Sequence, residues 1–337
     1  MVRQIIRIFT LCIILAACRH KSEENTGQGL PEGIKPNPVL IDLSARIKKD
    51  PHNPVLYYSR SKELFRQGVY QVALADAHKA LELDSLKPEY YILMSDIYFT
   101  VNQTRKSKEY LEKCLTVDKN NTDANMKLAE LYLYVQQNKK SIGYIDNVLR
   151  SDVHNPKAYF IKGMDFKEMK DTARAISNFQ TVIEQDPEYY NAYIQLGNLY
   201  RMKKNRLALQ YLATALKLNP QSTEALYTRG LFYQENGEYE TAVANYDSLL
   251  RIDPNDKNAH YNKGYISLLQ KRYQPAADNF SLAIQADPNY KEAYYMRGLC
   301  FSYLRQKDKA TEDYRAALRI DPQYEMAQKQ LKSPPVN

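Results

Sequence analysis

Small residues recur along the chain every 34 residues, with one interval of 33, and they frame the apolar and polar positions between them. The first series consists of Ser61, Ser95, Ala129, Gly163, Gly197, Gly230, Gly264 and Gly298. A second series follows about twelve residues behind, at Ala73, Ser107, Ser141, Ala175, Ala208, Ala242, Ala276 and Ala310. An acidic or amide residue ends each period, at Asp84, Asp118, Asp152, Asp186, Asn219, Asp253, Asp287 and Asp321. A period of this length is typical of arrays of supersecondary units.

Two helices per period, named helix A and helix B, explain this pattern. One small residue on each helix allows the two backbones to approach closely, and aromatic residues fill the space around the contact. The last five closing residues precede a proline, which cannot continue a helix and therefore suits the end of helix B. A single pair has apolar faces that it cannot bury alone, so we expect the pairs to stack.

The small, aromatic and proline positions resemble those of the tetratricopeptide repeat family, whose unit is a helix–turn–helix hairpin. The fourth period carries Tyr159, Gly163, Phe166, Ala175, Phe179 and Pro187, and the eighth carries Tyr294, Gly298, Phe301, Ala310, Tyr314 and Pro322. Eight repeats are predicted, at 54–87, 88–121, 122–155, 156–189, 190–222, 223–256, 257–290 and 291–324. The resemblance implies an all-α fold: a right-handed superhelical solenoid of about eight hairpins. We expect a capping helix at 39–50, and a second capping helix with a tail at 325–337.

Departures from the family pattern are local. The first three repeats have Ser85, Lys119 and Val153 where the later repeats have proline. An aromatic residue is replaced at Asn125, His260 and Ser267, and the fifth repeat is one residue short. We expect His260 to fill the space of a tyrosine rather than to bind a ligand.

Residues 1–18, MVRQIIRIFTLCIILAAC, predict a processing signal. Arg3 and Arg7 precede an apolar run of ten residues, far short of the roughly 20 that a membrane-spanning helix needs. The run ends in LAAC at 15–18, which resembles the bacterial lipoprotein box. The resemblance implies that residues 1–17 are a signal peptide and that Cys18 is lipidated, since several acyl chains form a stable anchor. The alternatives are an ordinary secretory signal that ends in cysteine by chance, and a retained membrane helix.

The residues after Cys18 predict a tether and a location. Residues 18–38 are polar and contain several Gly and Pro residues, so we expect a lipidated cysteine followed by a flexible spacer. Arg19, rather than aspartate, follows the cysteine. By resemblance to lipoproteins of two-membrane bacteria, this favours the outer over the inner membrane, and we expect a lipid-anchored protein of the bacterial cell envelope.

In the tetratricopeptide repeat family, helix A lines a concave groove that binds partner proteins. The apolar or aromatic residues at position 5 of helix A are Tyr58, Ile92, Met126, Phe160, Ile194, Tyr227, Tyr261 and Tyr295, and the last two repeats add Tyr265 and Tyr303. We take these ten as the candidate partner-binding residues, suited to an extended or helical segment of another protein. The alternative is that they partly bury against the adjacent hairpin. Tyrosine, with 29 copies, concentrates in repeats six to eight of this stripe.

Basic residues collect in the turns between helices A and B. They are Arg105, Lys106, Lys139, Lys140, Lys170, Lys203, Lys204, Arg206, Lys271, Arg272, Arg305, Lys307 and Lys309. The net charge of +8 falls to +6 when Arg3 and Arg7 are removed with the signal, which leaves 45 basic and 39 acidic residues. The turns would suit anionic lipid headgroups or cell-wall polymer, or they are ordinary solvated residues.

Motifs for catalysis or metal binding are missing from the sequence. It contains no HExxH, P-loop or GxGxxG motif, and its cysteines, Cys12, Cys18, Cys114 and Cys300, form no CxxC pair. We expect Cys114 and Cys300 to lie in the core. We therefore predict no enzymatic activity, no cofactor, no metal and no nucleic-acid partner.

These features together predict a membrane-anchored scaffold that binds partner proteins in the groove. The resemblance implies a role in envelope assembly, secretion or recruitment of cell-wall enzymes. The alternative is a direct binder of glycan or cell-wall polymer, through stacked tyrosines and the basic turns.

Overall fold

The computed structural model describes residues 37–332, which form eighteen α-helices and no strand. The chain divides into two compact parts, the N-terminal part up to residue 124 and the C-terminal part from residue 125. The predicted all-α architecture of helical hairpins with a terminal helix at each end is confirmed. The signal segment, Cys18 and nearly all of the tether lie outside the described residues, as do residues 333–337.

The N-terminal part contains a lone helix followed by two hairpins. Its helices are α1 (Pro38–Lys49), α2 (Pro54–Arg66), α3 (Tyr70–Leu83), α4 (Pro88–Thr100) and α5 (Thr104–Val117). Helices α2 and α3 pack as one hairpin, α4 and α5 pack as the next, and α3 also contacts α4. The lone α1 packs against α2 and therefore takes the place of a helix B from a preceding repeat.

The C-terminal part contains six hairpins and a final short helix. Its helices are α6 (Thr122–Tyr134, which begins just before the division), α7 (Asn138–Ser151), α8 (Pro156–Glu168), α9 (Thr172–Gln185), α10 (Tyr190–Met202), α11 (Leu207–Leu218), α12 (Thr223–Glu235), α13 (Tyr239–Ile252), α14 (Lys257–Leu269), α15 (Tyr273–Ala286), α16 (Lys291–Tyr303), α17 (Lys307–Ile320) and α18 (Glu325–Lys332). Each helix B from α7 onward contacts the helix A that follows it.

The acidic or amide residue that closes each repeat ends helix B by a local hydrogen bond. Asp84 has an extended backbone, and its Oδ1 accepts from the backbone N–H of Leu86 at 2.9 Å. The same bond forms at the other seven closing residues, Asp118, Asp152, Asp186, Asn219, Asp253, Asp287 and Asp321. An Asx turn therefore explains why this series is restricted to Asp and Asn.

Helix A ends in each repeat with a Schellman-type turn. In the first repeat, the N–H of Val69 donates to the carbonyl of Leu64 and that of Gly68 donates to Phe65, with φ of +78° at Gly68. A glycine takes this conformation again at Gly237. Six other turns place a residue with a side chain there: Asn102, Gln136, Lys170, Lys204, Lys271 and Arg305. Each of these six residues accepts a backbone strain of about 1 kcal/mol. Because most of the turns lack glycine, the sequence gave no glycine signal for them.

All sixteen small residues of the two series are buried. The contact that requires glycine in the first series, however, is with a large side chain of helix B. A Cβ on Gly230 would lie 2.6 Å from Cε1 of Tyr246. Similar clashes would occur between Gly163 and Phe179, Gly197 and Leu212, Gly264 and Phe280, and Gly298 and Tyr314. The large residues of helix B therefore fill the space beside the small residues of helix A, as the sequence pattern predicts for the aromatic positions.

We predict that Gly230→Ala destabilises the protein by about 1–3 kcal/mol, because its methyl group must displace the ring of Tyr246. The matched control is Gly143→Ala, since nothing lies within 4 Å of a Cβ at that helical position. The control should raise stability by about 0.5–1 kcal/mol. Chemical denaturation of both variants measures the difference, and equal effects would contradict the packing argument.

A buried carboxyl group in the fourth repeat predicts a pH dependence of stability. The side chain of Asp165 is buried, accepts from Ser141 Oγ at 2.6 Å through Oδ2, and has no partner for Oδ1 among the described residues. Burial raises the pKa of Asp165 to about 6. Because this pKa is raised above its unfolded value, the folded state gains stability that is fully present below pH ~4 and is lost as pH rises through about 6.

Asp165→Asn should therefore be more stable than wild type at pH 8, on the order of 2 kcal/mol, and the gap should narrow towards pH 4. Thermal melts over this pH range measure it. The exposed Asp308→Asn serves as the control for the removal of one carboxyl group. A gap that does not change with pH would contradict the assignment to this carboxyl group.

Candidate partner-binding site

The ten predicted partner-binding residues differ in exposure. Met126, Ile194 and Tyr295 are buried. Tyr58, Ile92, Phe160, Tyr227, Tyr261 and Tyr265 are half-buried, and Tyr303 is exposed. Met126, Ile194 and Tyr295 cannot contact a partner in this arrangement, so their inclusion in the site is corrected: they are packing residues that fill the hairpin cores.

Most rings at position 5 of helix A pack between their own helix B and the loop before the next repeat. The ring of Tyr261 lies 5.3 Å from Phe280 and 5.1 Å from Tyr290, measured between centroids. Phe160 has the same two contacts with Phe179 and Tyr189. Burial raises the pKa of Tyr261 to about 12, as expected for a phenol in an aromatic layer. For these positions the geometry favours burial against the adjacent hairpin over an open groove.

In the N-terminal part, the ring of Tyr58 packs against the next helix A, α4. Its ring centroid lies 4.9 Å from that of Tyr90, and Lys62 Nζ lies 5.5 Å from the Tyr58 centroid. Burial raises the pKa of Tyr58. Ile92, on α4, is half-buried. Both side chains therefore serve packing, with only part of their surface available to a partner.

The C-terminal part carries an apolar surface at the end of its last two helices A, formed by Tyr265, Leu268, Leu269, Leu299 and Tyr303. We call this surface the C-terminal apolar patch. Leu269 is 47% exposed and Tyr303 is 60% exposed, and the other members are half-buried. The patch spans two repeats, because α14, which carries the first three residues, contacts α16, which carries the last two.

Tyr303 is held in place although it is exposed. Its ring stacks on Tyr273 at the start of α15, with centroids 4.6 Å apart and planes within 12°. The exposed Lys271 and Arg305 lie in the adjoining turns at positive φ. The result is a rigid aromatic surface beside basic side chains, which suits an apolar anchor flanked by carboxylates.

The turns between helices A and B are not basic in every repeat. The turn of the sixth repeat is acidic, with Glu235 paired to Arg201 and Glu238 to Arg206 at 3.5 Å. Glu240 adds a third carboxylate there. The series of basic turns is therefore interrupted at the sixth repeat.

Hydrogen bonds between polar side chains of consecutive helices A were not predicted from the sequence. Lys167 Nζ donates to Gln195 Oε1 at 2.8 Å, and Asn262 Nδ2 donates to the hydroxyl of Tyr227 at 3.2 Å. These pairs join consecutive repeats of the C-terminal part. Their members lie 28 and 35 residues apart, so a search for polar pairs near the repeat length would have found them.

The remaining candidates for chemistry are buried. Burial raises the pKa of the Cys114 thiol to about 11 and that of Cys300 to about 12, so neither is a reactive thiolate. His260 lies where Tyr57 lies in the first repeat: His260 Nε2 is 3.0 Å from the carbonyl of Pro254, and Tyr57 donates to Pro51. Residues 37–332 contain no cluster of metal-ligand side chains and no helix with both the length and the apolar character to cross a membrane.

A curated relative shares only a short segment with this chain. It is a UDP-N-acetylglucosamine–peptide N-acetylglucosaminyltransferase of Giardia intestinalis, 35% identical over 65 residues. These residues span 19% of this chain and 4% of the enzyme. The similarity therefore concerns one segment and not the transferase as a whole.

Solved structures share the fold. A tetratricopeptide repeat protein from Parabacteroides merdae aligns with a TM-score of 0.56 and 17% identity, over 73% of this chain and 97% of that chain. PilW, described as a widely conserved type IV pilus biogenesis factor, aligns with a TM-score of 0.55 and 18% identity, over 63% of this chain and 98% of its own. At these identities the likeness shows the helical-hairpin fold alone.

Sequence profiles described as tetratricopeptide repeat match four stretches, 88–121, 157–189, the overlapping 198–257 and 227–291, and 292–324. Together these stretches cover more than half of the chain. They coincide with helical hairpins in which a small residue of helix A lies against helix B. The chain belongs to the tetratricopeptide repeat family.

Proposed function

We propose that this protein is a non-catalytic scaffold, anchored to a membrane of the bacterial cell envelope through lipid on Cys18. It binds a partner protein mainly through the C-terminal apolar patch. The observation that carries the proposal is the exposure of Tyr303 and Leu269 on two helices A that contact each other. A rigid aromatic ring with one open face gives contact area at little entropic cost, which is typical of binding hot spots.

The charge around the patch favours one kind of partner. The turns of the seventh and eighth repeats contribute Lys271, Arg272, Arg305, Lys307 and Lys309. Asp308 is the acidic residue among them. A partner segment with an apolar anchor flanked by acidic residues would match this arrangement, and the basic side chains would also speed its encounter.

The envelope location rests on the sequence of the N-terminus. A basic start, a ten-residue apolar run and LAAC at 15–18 fit a lipoprotein signal, and Arg19 favours the outer membrane. The polar stretch to residue 38 would hold the repeats away from the bilayer. A scaffold held at a surface gains effective concentration for partners at the same surface.

We expect the double variant Leu269→Ala with Tyr303→Ala to lose its partner while it keeps its thermal melt, because both side chains are exposed. In-cell crosslinking and pull-down from solubilised membranes would measure partner recovery, and a hot-spot loss of about 2 kcal/mol corresponds to roughly 30-fold weaker binding. The matched control is Leu86→Ala with Val153→Ala, two side chains that are exposed elsewhere.

Equal recovery of the partner by wild type and the patch variant would contradict the patch as the binding surface. Loss of sedimentation with purified cell wall, in place of a lost protein partner, would instead favour the polymer-binding alternative.

Cys18→Ser should abolish acylation and release the protein from the membrane fraction, because serine has no thiol with which to form the diacylglyceryl thioether. Mass spectrometry of the N-terminal peptide and fractionation of the cells would measure both effects. A wild-type protein that is soluble and carries no acyl chain would contradict the anchor, and it would leave the patch experiment unaffected.

A further inference from the structure

Five repeats place a basic residue at position 7 of helix A, where the side chain lies between two helices B. They are Arg60, Lys162, Arg229, Lys263 and Arg297. Each can reach a residue sixteen positions later, on helix B of the same repeat, or sixteen positions earlier, on helix B of the preceding repeat. This geometry creates a fixed pair of neighbours for every basic side chain in the series.

In the first and the eighth repeat the neutralising carboxylate comes from the same repeat. Arg297 donates to Asp313 through Nε at 2.8 Å and Nη2 at 2.7 Å, and its Nη1 donates to Ser281 Oγ at 3.0 Å. Arg60 makes the same fork with Asp76 at 2.6 and 2.7 Å. Bidentate pairs of this kind satisfy the planar donor set of a guanidinium.

In the fourth and the seventh repeat the carboxylate comes from the preceding repeat. Lys162 Nζ lies 2.7 Å from Asp146 Oδ1, and Lys263 Nζ lies 2.6 Å from Asp247 Oδ1. Each of these four basic residues therefore has one acidic side chain among its two fixed neighbours.

Arg229 in the sixth repeat departs from this rule. Its two neighbours are Ala213 on α11 and Asn245 on α13. Its Nε donates to Asn245 Oδ1 at 2.5 Å, and within residues 37–332 no carboxylate pairs with its guanidinium. Ala213 also removes the hydroxyl that Ser281 supplies in the eighth repeat. The two Nη groups are thus left without the partners that their counterparts have.

The electrostatic state of the two arginines agrees with this difference. The hydrogen bonds that Arg297 donates to Asp313, together with the negative charge of that carboxylate, raise the pKa of Arg297. Burial lowers the pKa of Arg229, since a half-buried cation without a counter-ion is destabilised in its charged form. The acidic turn of the sixth repeat does not supply a counter-ion for Arg229, because Glu235 pairs with Arg201 and Glu238 pairs with Arg206.

We propose that Arg229 is a binding site for one oxyanion, a carboxylate or a phosphate group. Asn245 orients the guanidinium, and the small side chain of Ala213 leaves room for the ligand. The ligand supplies the two oxygens that Asp313 supplies in the eighth repeat, and the guanidinium donates to them through its free edge. The site lies between α11, α12 and α13, whereas the C-terminal apolar patch lies on α14 and α16. It is therefore a second recognition point, independent of the proposed function.

The experiment uses the full chain in detergent and measures its melting temperature in sodium chloride, acetate and phosphate at equal ionic strength. Wild type should melt roughly 2–4 °C higher in the anion that binds than in chloride. Asn245→Asp supplies an internal carboxylate, as in the eighth repeat, so it should melt higher in chloride and lose the anion-dependent increment. Asp313→Asn removes the carboxylate from the equivalent site in the eighth repeat. Its melting temperature should therefore rise more than that of wild type when the binding anion replaces chloride.

The side-chain Nε–H resonance of arginine gives a second measurement that does not depend on stability. The resonance lost in Arg229→Gln should shift and saturate on titration with phosphate or acetate. A shift with phosphate alone assigns a phosphate ligand, and a shift with both assigns carboxylates as well. Equal increments in wild type and Asn245→Asp, or a resonance that does not move, would overturn the proposal.

Discussion

The close approach of helix A to helix B at the first small residue is the contact on which the hairpins depend. Where the first small residue is glycine, the opposing residue is an aromatic ring or leucine, as at Gly230 and Tyr246. In the third repeat, where alanine replaces glycine, Ala129 packs on Ile145. In the first repeat Ser61 donates to the carbonyl of Ala73 at 2.7 Å. A smaller residue on helix A therefore allows a larger residue on helix B at the same contact.

Much of the fold follows from the sequence because this contact repeats at fixed spacing. The two small series and the closing Asp and Asn residues predicted eight hairpins, and the structure adds the reason for the closing series, an Asx turn. The strained turns could not be predicted, since Lys271 and Arg305 give no sign that their φ is positive. The acidic turn of the sixth repeat was visible in the sequence as Glu235, Glu238 and Glu240, but its effect depends on pairing with the neighbouring repeat.

The candidate site was less predictable than the fold, because one stripe of a helix serves both packing and recognition. Position 5 has an apolar or aromatic side chain in all eight repeats, yet Ile194 at this position is only 1% exposed. Tyr303, which lies elsewhere on the same stripe near the end of its helix, is 60% exposed. A loop residue covers some of these positions, as Tyr290 covers Tyr261. That loop residue lies outside the family pattern on which the site was based. That Arg229 has no carboxylate partner within residues 37–332 follows from contacts between residues sixteen positions apart, which the structure shows and the family pattern does not.

The exchange of volume between the two helices is tested most directly by a double-mutant cycle on Gly264 and Phe280, whose Cβ–ring distance would be 2.9 Å. Gly264→Ala, Phe280→Ile and the combined variant are compared by chemical denaturation, the combination reproducing the pair found in the third repeat. The account predicts that the alanine costs much less beside isoleucine than beside phenylalanine, with a coupling energy of at least about 1 kcal/mol. Free-energy changes that simply add would contradict it.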